Sequence, residues 1–152
     1  MNLKSKHMAE FLYEHFKDKN KMEIVYNALR TPDGTLLESK YRHDCQFHLD
    51  ENGKEYMIDG GLDYVRATAH GDEKLITITL DDDHETVREY VQWGTYGPDG
   101  NQPLKLVRLK DMDTDHIKAV LETQGQIRPS LRTAMMSELD YRDRLWDNET
   151  DK

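Results

Sequence analysis

His43, Asp44, Cys45 and His48 fall within six residues, and each of these side chains can bind a transition metal. A tetrahedral zinc site needs three or four ligands converging on one point. The local pattern argues against convergence. Cys45, Phe47 and Leu49 alternate with Asp44, Gln46 and His48, as in a strand. Alternation puts His43 and Cys45 on one face and Asp44 and His48 on the other. A metal site here would need a break in the strand and further ligands from Asp59, His70 or His84. No CxxC or HExxH spacing is present.

A second constellation is Asp59-Gly60-Gly61-Leu62-Asp63-Tyr64. Two carboxylates beside a flexible backbone can hold Mg²⁺ or exchange protons. The same residues also suit a sharp bend in which the aspartates accept backbone N–H bonds. The enzymatic alternative is therefore a small metal-dependent hydrolase or nuclease using His43, Asp44 and His48 with Asp59 and Asp63. No serine lies in GxSxG, Cys45 has no nucleophile context, and no GxGxxG or GxxxxGK[ST] loop exists. No cofactor is expected.

The third feature is charge. The 152-residue chain carries a net charge of −9 and 34% charged residues. An acidic surface repels nucleic-acid phosphates and anionic membranes, so direct binding to either is not expected. Residues 71 to 90 hold seven acids against two bases, with Asp81, Asp82, Asp83 and Glu85 the densest run. That run lacks the spacing of a calcium loop. It can be a solvated helix start or a dock for a basic partner. Trp93 and Tyr96, in a loop rich in glycine, are the best candidate anchors for a protein partner, because exposed aromatics dominate interfaces.

These residues need elements to position them. Met8, Phe11, Leu12, His15 and Phe16 mark an amphipathic helix over 4–20. Strands are expected at 23–30 and 35–41, joined by Thr31-Pro32-Asp33-Gly34, where proline presets one turn position and glycine accepts positive φ. Asp50-Glu51-Asn52-Gly53 marks a second hairpin, with the return strand at 55–59. Further strands are expected at 62–69, 74–80 and 103–110, with a short helix at 84–92. Asp113-Thr114 should cap a helix running to about Gln124, ended by Gly125. Pro129 opens a last helix whose stripe is Leu131, Met135, Leu139, Arg142 and Trp146. The tail 147–152 is expected to fray. The expected fold class is α+β in a single domain over 1–152. It is a largely antiparallel meander, with one N-terminal helix and two C-terminal helices packed on one face.

One segment carries a family resemblance. Leu37-Glu38-Ser39, Arg42-His43-Asp44 and Asp59-Gly60-Gly61-Leu62-Asp63-Tyr64-Val65-Arg66 read as "LES…RHD…DGGLDYVR". Trp93-Gly94-Thr95-Tyr96-Gly97, Leu109-Lys110-Asp111-Met112 and His116-Ile117 follow. Across about residues 31 to 124 this resembles a family of small uncharacterised proteins of tailed, T4-like bacteriophages. The resemblance implies expression in the cytoplasm of a bacterial host and carries over no catalytic residues.

The chain has one cysteine, no apolar leader after its charged start and no run long enough to span a membrane. The leading expectation is a non-enzymatic phage accessory protein that binds a host or phage protein, counteracting host defence. An acidic mimic of nucleic acid ranks third, since bases are mixed among the acids in most regions.

Overall fold

The computed structural model describes residues 23–150, with side chains described as far as Asp147. The chain forms two compact units, one ending at Asp81 and one beginning at Asp82. The expected helix over 4–20 lies outside the described residues.

The first unit contains two three-stranded antiparallel sheets rather than one meander. In the first sheet, β1 (Ile24–Arg30) lies between β2 (Leu36–Glu38) and β6 (Lys74–Thr79). Its central position explains why six of its seven residues are buried instead of alternating. The turn to β2 forms as its residues require. Pro32 precedes Asp33, Gly34 sits at φ 92°, and the Asp33 carboxylate accepts the Thr31 hydroxyl and the Thr35 N–H. In the second sheet, β4 (Glu55–Asp59) lies between β3 (Gln46–Leu49) and the short β5 (Arg66–Ala67). Asp50 Oδ1 accepts the N–H groups of Asn52 and Lys54, which closes the β3–β4 turn with Gly53 at φ 79°.

Ile24, Leu29, Leu37, Tyr56, Ile58, Val65 and Ala67 form one core that draws on both sheets, with Leu62 and Leu75 against it. The meander is overturned at one point. The 74–79 strand pairs antiparallel with β1 rather than with its chain neighbour at 66–67. Gly60, Gly61 and a turn over 61–63 occupy most of the 60–65 segment, so of the expected 62–69 strand only Arg66–Ala67 survives.

The second unit holds all the described helices. The first of them lies mid-chain: α1 (His84–Tyr90), then α2 (Thr114–Thr123) and α3 (Pro129–Thr150). Between α1 and α2 come β7 (Gln92–Thr95), β8 (Lys105–Arg108) and a 3₁₀ turn at Leu109–Asp111. Both α1 and α2 pack on α3, and α1 also packs against β8 and the 3₁₀ turn. Val87, Val91, Leu109, Ile117, Val120 and Met135 are buried. The expected loop at Trp93 begins as a strand, because Gly94 is tolerated opposite Leu106 in a two-stranded hairpin. Asp113 stands at the N-cap of α2, but its side chain makes no capping hydrogen bond. The apolar stripe of α3 is buried at Met135 and half-buried at Leu131, Leu139 and Arg142. It ends at Trp146, which is 67% exposed. No described helix is long and apolar enough to cross a membrane.

Candidate functional site

The residues singled out by the "LES…RHD…DGGLDYVR" pattern meet at one place in the first unit. Two loops, 39–45 and 60–65, are bound together there. Ser39 is buried; its hydroxyl donates to the Asp44 carbonyl at 2.6 Å and accepts the Gly61 N–H at 2.8 Å. The glycine pair permits this approach. A Cβ at Gly61 (φ 56°) would stand 2.3 Å from the Tyr41 carbonyl carbon, and one at Gly60 (φ 120°) 1.8 Å from the Tyr64 carbonyl oxygen. Asn27, buried in β1, joins the loops to the first sheet. Its amide donates to the Tyr64 carbonyl at 3.3 Å, and its oxygen accepts the Thr77 hydroxyl at 3.1 Å.

A chain of hydrogen bonds runs through this junction. The Tyr64 hydroxyl donates to Asp59 Oδ2 at 3.0 Å. Its one hydrogen is thereby engaged, so the 2.7 Å contact from His43 Nδ1 requires Nδ1–H to donate to the phenol oxygen. Nε2 of His43 is left as the acceptor on an exposed ring. His43 takes φ 66° and is the one non-glycine residue with positive φ among the described residues. Arg66 Nη2 also reaches Asp59 Oδ2, at 3.0 Å. Asp59 Oδ1 is buried without a partner. Burial, then the bond to Asp59, pushes the Tyr64 phenol up from its usual range. Burial, then the negative charge of Asp59, raises the Cys45 thiol, which keeps it protonated and a poor nucleophile.

The histidines expected to flank a metal are separated. His43 lies in a turn and the strand begins only at Gln46, so strand alternation does not govern His43 or Asp44. Asp44 is buried and accepts the Lys40 N–H at 2.8 Å and the Gln46 amide. His48 turns to the first hairpin, where Nε2 meets Asp33 Oδ2 at 2.7 Å and the Thr35 hydroxyl at 3.3 Å. Bonds from Thr31, then His48 and Thr35, hold the Asp33 carboxyl well below the usual carboxylate range. Asp63 is exposed at the tip of the second loop. The structure thus joins His43 to Asp59 through Tyr64, while Asp44 and His48 bond elsewhere. Among the described residues no three His, Cys, Asp or Glu side chains gather in a way that could hold a metal ion.

The candidate contact residues lie elsewhere. Asp81, Asp82, Asp83 and Glu85 are exposed. Trp93 pairs with Val107 across the β7–β8 hairpin, and both are half-buried. The pleat places Gly94 on the opposite face from Trp93. Gly94 opposes Leu106, and a Cβ there would meet Leu104 at 3.1 Å and Leu106 at 3.7 Å. Leu104 and Leu106 are 57% and 42% exposed, so this face is an open apolar patch, and Tyr96, just beyond the end of β7, is 55% exposed.

Sequence reasoning missed Tyr64, Asn27, Ser39 and Arg66 as members of the junction. Gly60-Gly61 was the available signal, since two adjacent glycines mark a close backbone approach as well as a bend. It also missed Glu138, which is fully buried among His84, Arg88 and Arg142. The i,i+4 spacing of Glu138 and Arg142 was the visible hint.

No family model, curated protein or solved structure matches this chain.

Proposed function

We propose that the protein is a non-enzymatic accessory protein of a bacteriophage that binds a host or phage protein in the cytoplasm of the infected cell. The observation that carries this reading is the apolar face of the β7–β8 hairpin. Leu104 and Leu106 stand over Gly94, which has no side chain of its own, and Tyr96 is exposed just beyond the end of β7. A large aromatic and two leucines open to solvent on one small hairpin cost solubility, and such patches are characteristic of contact sites. The exposed acids Asp81, Asp82, Asp83 and Glu85 suit a partner that carries basic residues. Counteraction of host defence is the role such binding would serve, in keeping with the phage resemblance of residues 31–124.

Pull-down from infected cells tests the proposal. A specific protein should be captured by the native chain and lost with Leu104→Asp and Leu106→Asp. Recovery of no specific protein, or capture that survives both substitutions, would sink it.

The hydrolase alternative has one observation in its favour, the His43–Tyr64–Asp59 chain, which leaves Nε2 of His43 positioned as a base.

A further inference from the structure

The outer face of the β3–β4–β5 sheet carries an ordered gradient from apolar to cationic. On this face Phe47 pairs with Met57, and Leu49 pairs with Glu55. Cys45, just before β3, lies close to Asp59 and Arg66, and Asp59 pairs with Arg66. Phe47 and Leu49 are 67% and 61% exposed. An apolar strip therefore runs from Leu49 through Phe47 and Met57 to the half-buried Cys45. At about 3.3 Å per residue it is roughly 13 Å long.

The two ends differ in charge. Beside Leu49 stand the exposed carboxylates Glu51 and Glu55. Beyond Cys45 stand Lys40, Arg42 and Arg66, all exposed, in a chain whose net charge is −9. Two acids at that end are buried and engaged: Asp44 accepts the Lys40 N–H, and Asp59 accepts the Tyr64 hydroxyl and pairs with Arg66. Asp63 is the exposed acid of the two loops. The Arg66 guanidinium is fixed at one corner by Asp59 while its side chain stays 61% exposed. Arg66 is held in place before any ligand arrives, which lowers the ordering cost of binding.

We propose that this face binds a small amphipathic anion, its apolar body along Leu49, Phe47 and Met57 and its anionic head at Arg66 and Arg42. The carboxylates at the far end repel an anionic head and fix the direction in which the ligand lies. Guanidinium groups match carboxylate and phosphate heads, whose planar or clustered oxygens take paired N–H donors. The face is separate from the hairpin patch proposed for a protein partner, so each can fail without the other.

The test is an NMR titration of the full chain with dodecanoate, kept below its micelle threshold, and with dodecanol as the neutral control. Dodecanoate should shift the Phe47 ring and the Met57 methyl in one saturable transition. Arg42→Gln and Phe47→Ser should each weaken binding by about tenfold. Both native side chains are exposed, so both variants should keep the fold. Dodecanol should bind at least about tenfold more weakly than dodecanoate. No saturable shift, equal binding of dodecanol, or native affinity in both variants would overturn the proposal.

Discussion

Glu138 of α3 receives Arg88 of α1 through two parallel hydrogen bonds, Nε to Oε1 at 2.8 Å and Nη2 to Oε2 at 2.9 Å. His84 Nε2 adds a third contact at 2.9 Å and Arg142 Nε a fourth at 2.8 Å. Arg142 extends the network to the Leu109 carbonyl and the Thr114 hydroxyl. One fully buried carboxylate thus ties α1, the 3₁₀ turn and the start of α2 to the last helix.

Removing that carboxylate leaves two guanidinium groups without their common acceptor. Glu138→Leu should destabilise the second unit by about 3–5 kcal/mol, the range for breaking a buried ion pair from one side. Urea unfolding followed by Trp93 and Trp146 fluorescence checks this. A loss under about 1 kcal/mol would mean that the cluster is not a keystone.

Acid should act on the same residue. Burial alone would raise the Glu138 carboxyl, but bonds from Arg88, His84 and Arg142 outweigh it and hold it below its ordinary value of 4.5. A lowered folded value means the contribution is complete above the unfolded value and is lost as pH falls through the folded one. Stability of the second unit should therefore drop below about pH 4.5. In Glu138→Gln that part of the slope should vanish. Denaturant midpoints across pH 3 to 7 would show a parallel slope in the variant if another group is responsible.

The glycine pair makes a graded comparison possible. Gly61→Ala and Gly60→Ala drive a methyl into backbone atoms and impose a left-handed φ, and each should cost more than about 2 kcal/mol. Gly34→Ala has positive φ but open space, and should cost only about 1 kcal/mol. Thermal unfolding of the three variants gives the order; equal losses would refute the close-approach argument.

His43 lies at φ 66° and donates to Tyr64. In His43→Gly, relief of backbone strain and loss of an exposed hydrogen bond oppose each other, so stability should change by less than about 1 kcal/mol. His43→Val cannot relieve the strain and should lose about 1–3 kcal/mol. Chemical denaturation distinguishes them; a Gly variant as unstable as the Val variant would show that the imidazole, and not the backbone, controls the loop.

Local signals in the chain were legible where the physics is local. The Pro32-Asp33-Gly34 and Asn52-Gly53 turns, the alternation at Gln46–Leu49 and the helices from Thr114 and Pro129 all stand where residue chemistry puts them. Pairing between distant strands was not legible. Strand β6 has the same apolar alternation whether it pairs with its neighbour or with β1, and only tertiary packing decides. The polar junction was half legible. Asp59, His43 and the glycine pair were visible as types, but the link between them is Tyr64, whose role depends on two loops meeting. Trp93 and Tyr96 were visible as aromatics, and the structure half-buries Trp93 in β7 while Tyr96 stays exposed beyond its end.

The pairing of β1 with β6 has a consequence for synthesis. The β1–β2 hairpin is short and buries little by itself, so it is marginal in isolation. Its sheet is completed only when Lys74–Thr79 has left the ribosome, long after Ile24–Arg30 has emerged. During that interval the apolar face of β1 is exposed in the nascent chain, where chaperones act. The helical unit follows in the chain and carries its own buried residues, so translation delivers it after the first unit has its last strand.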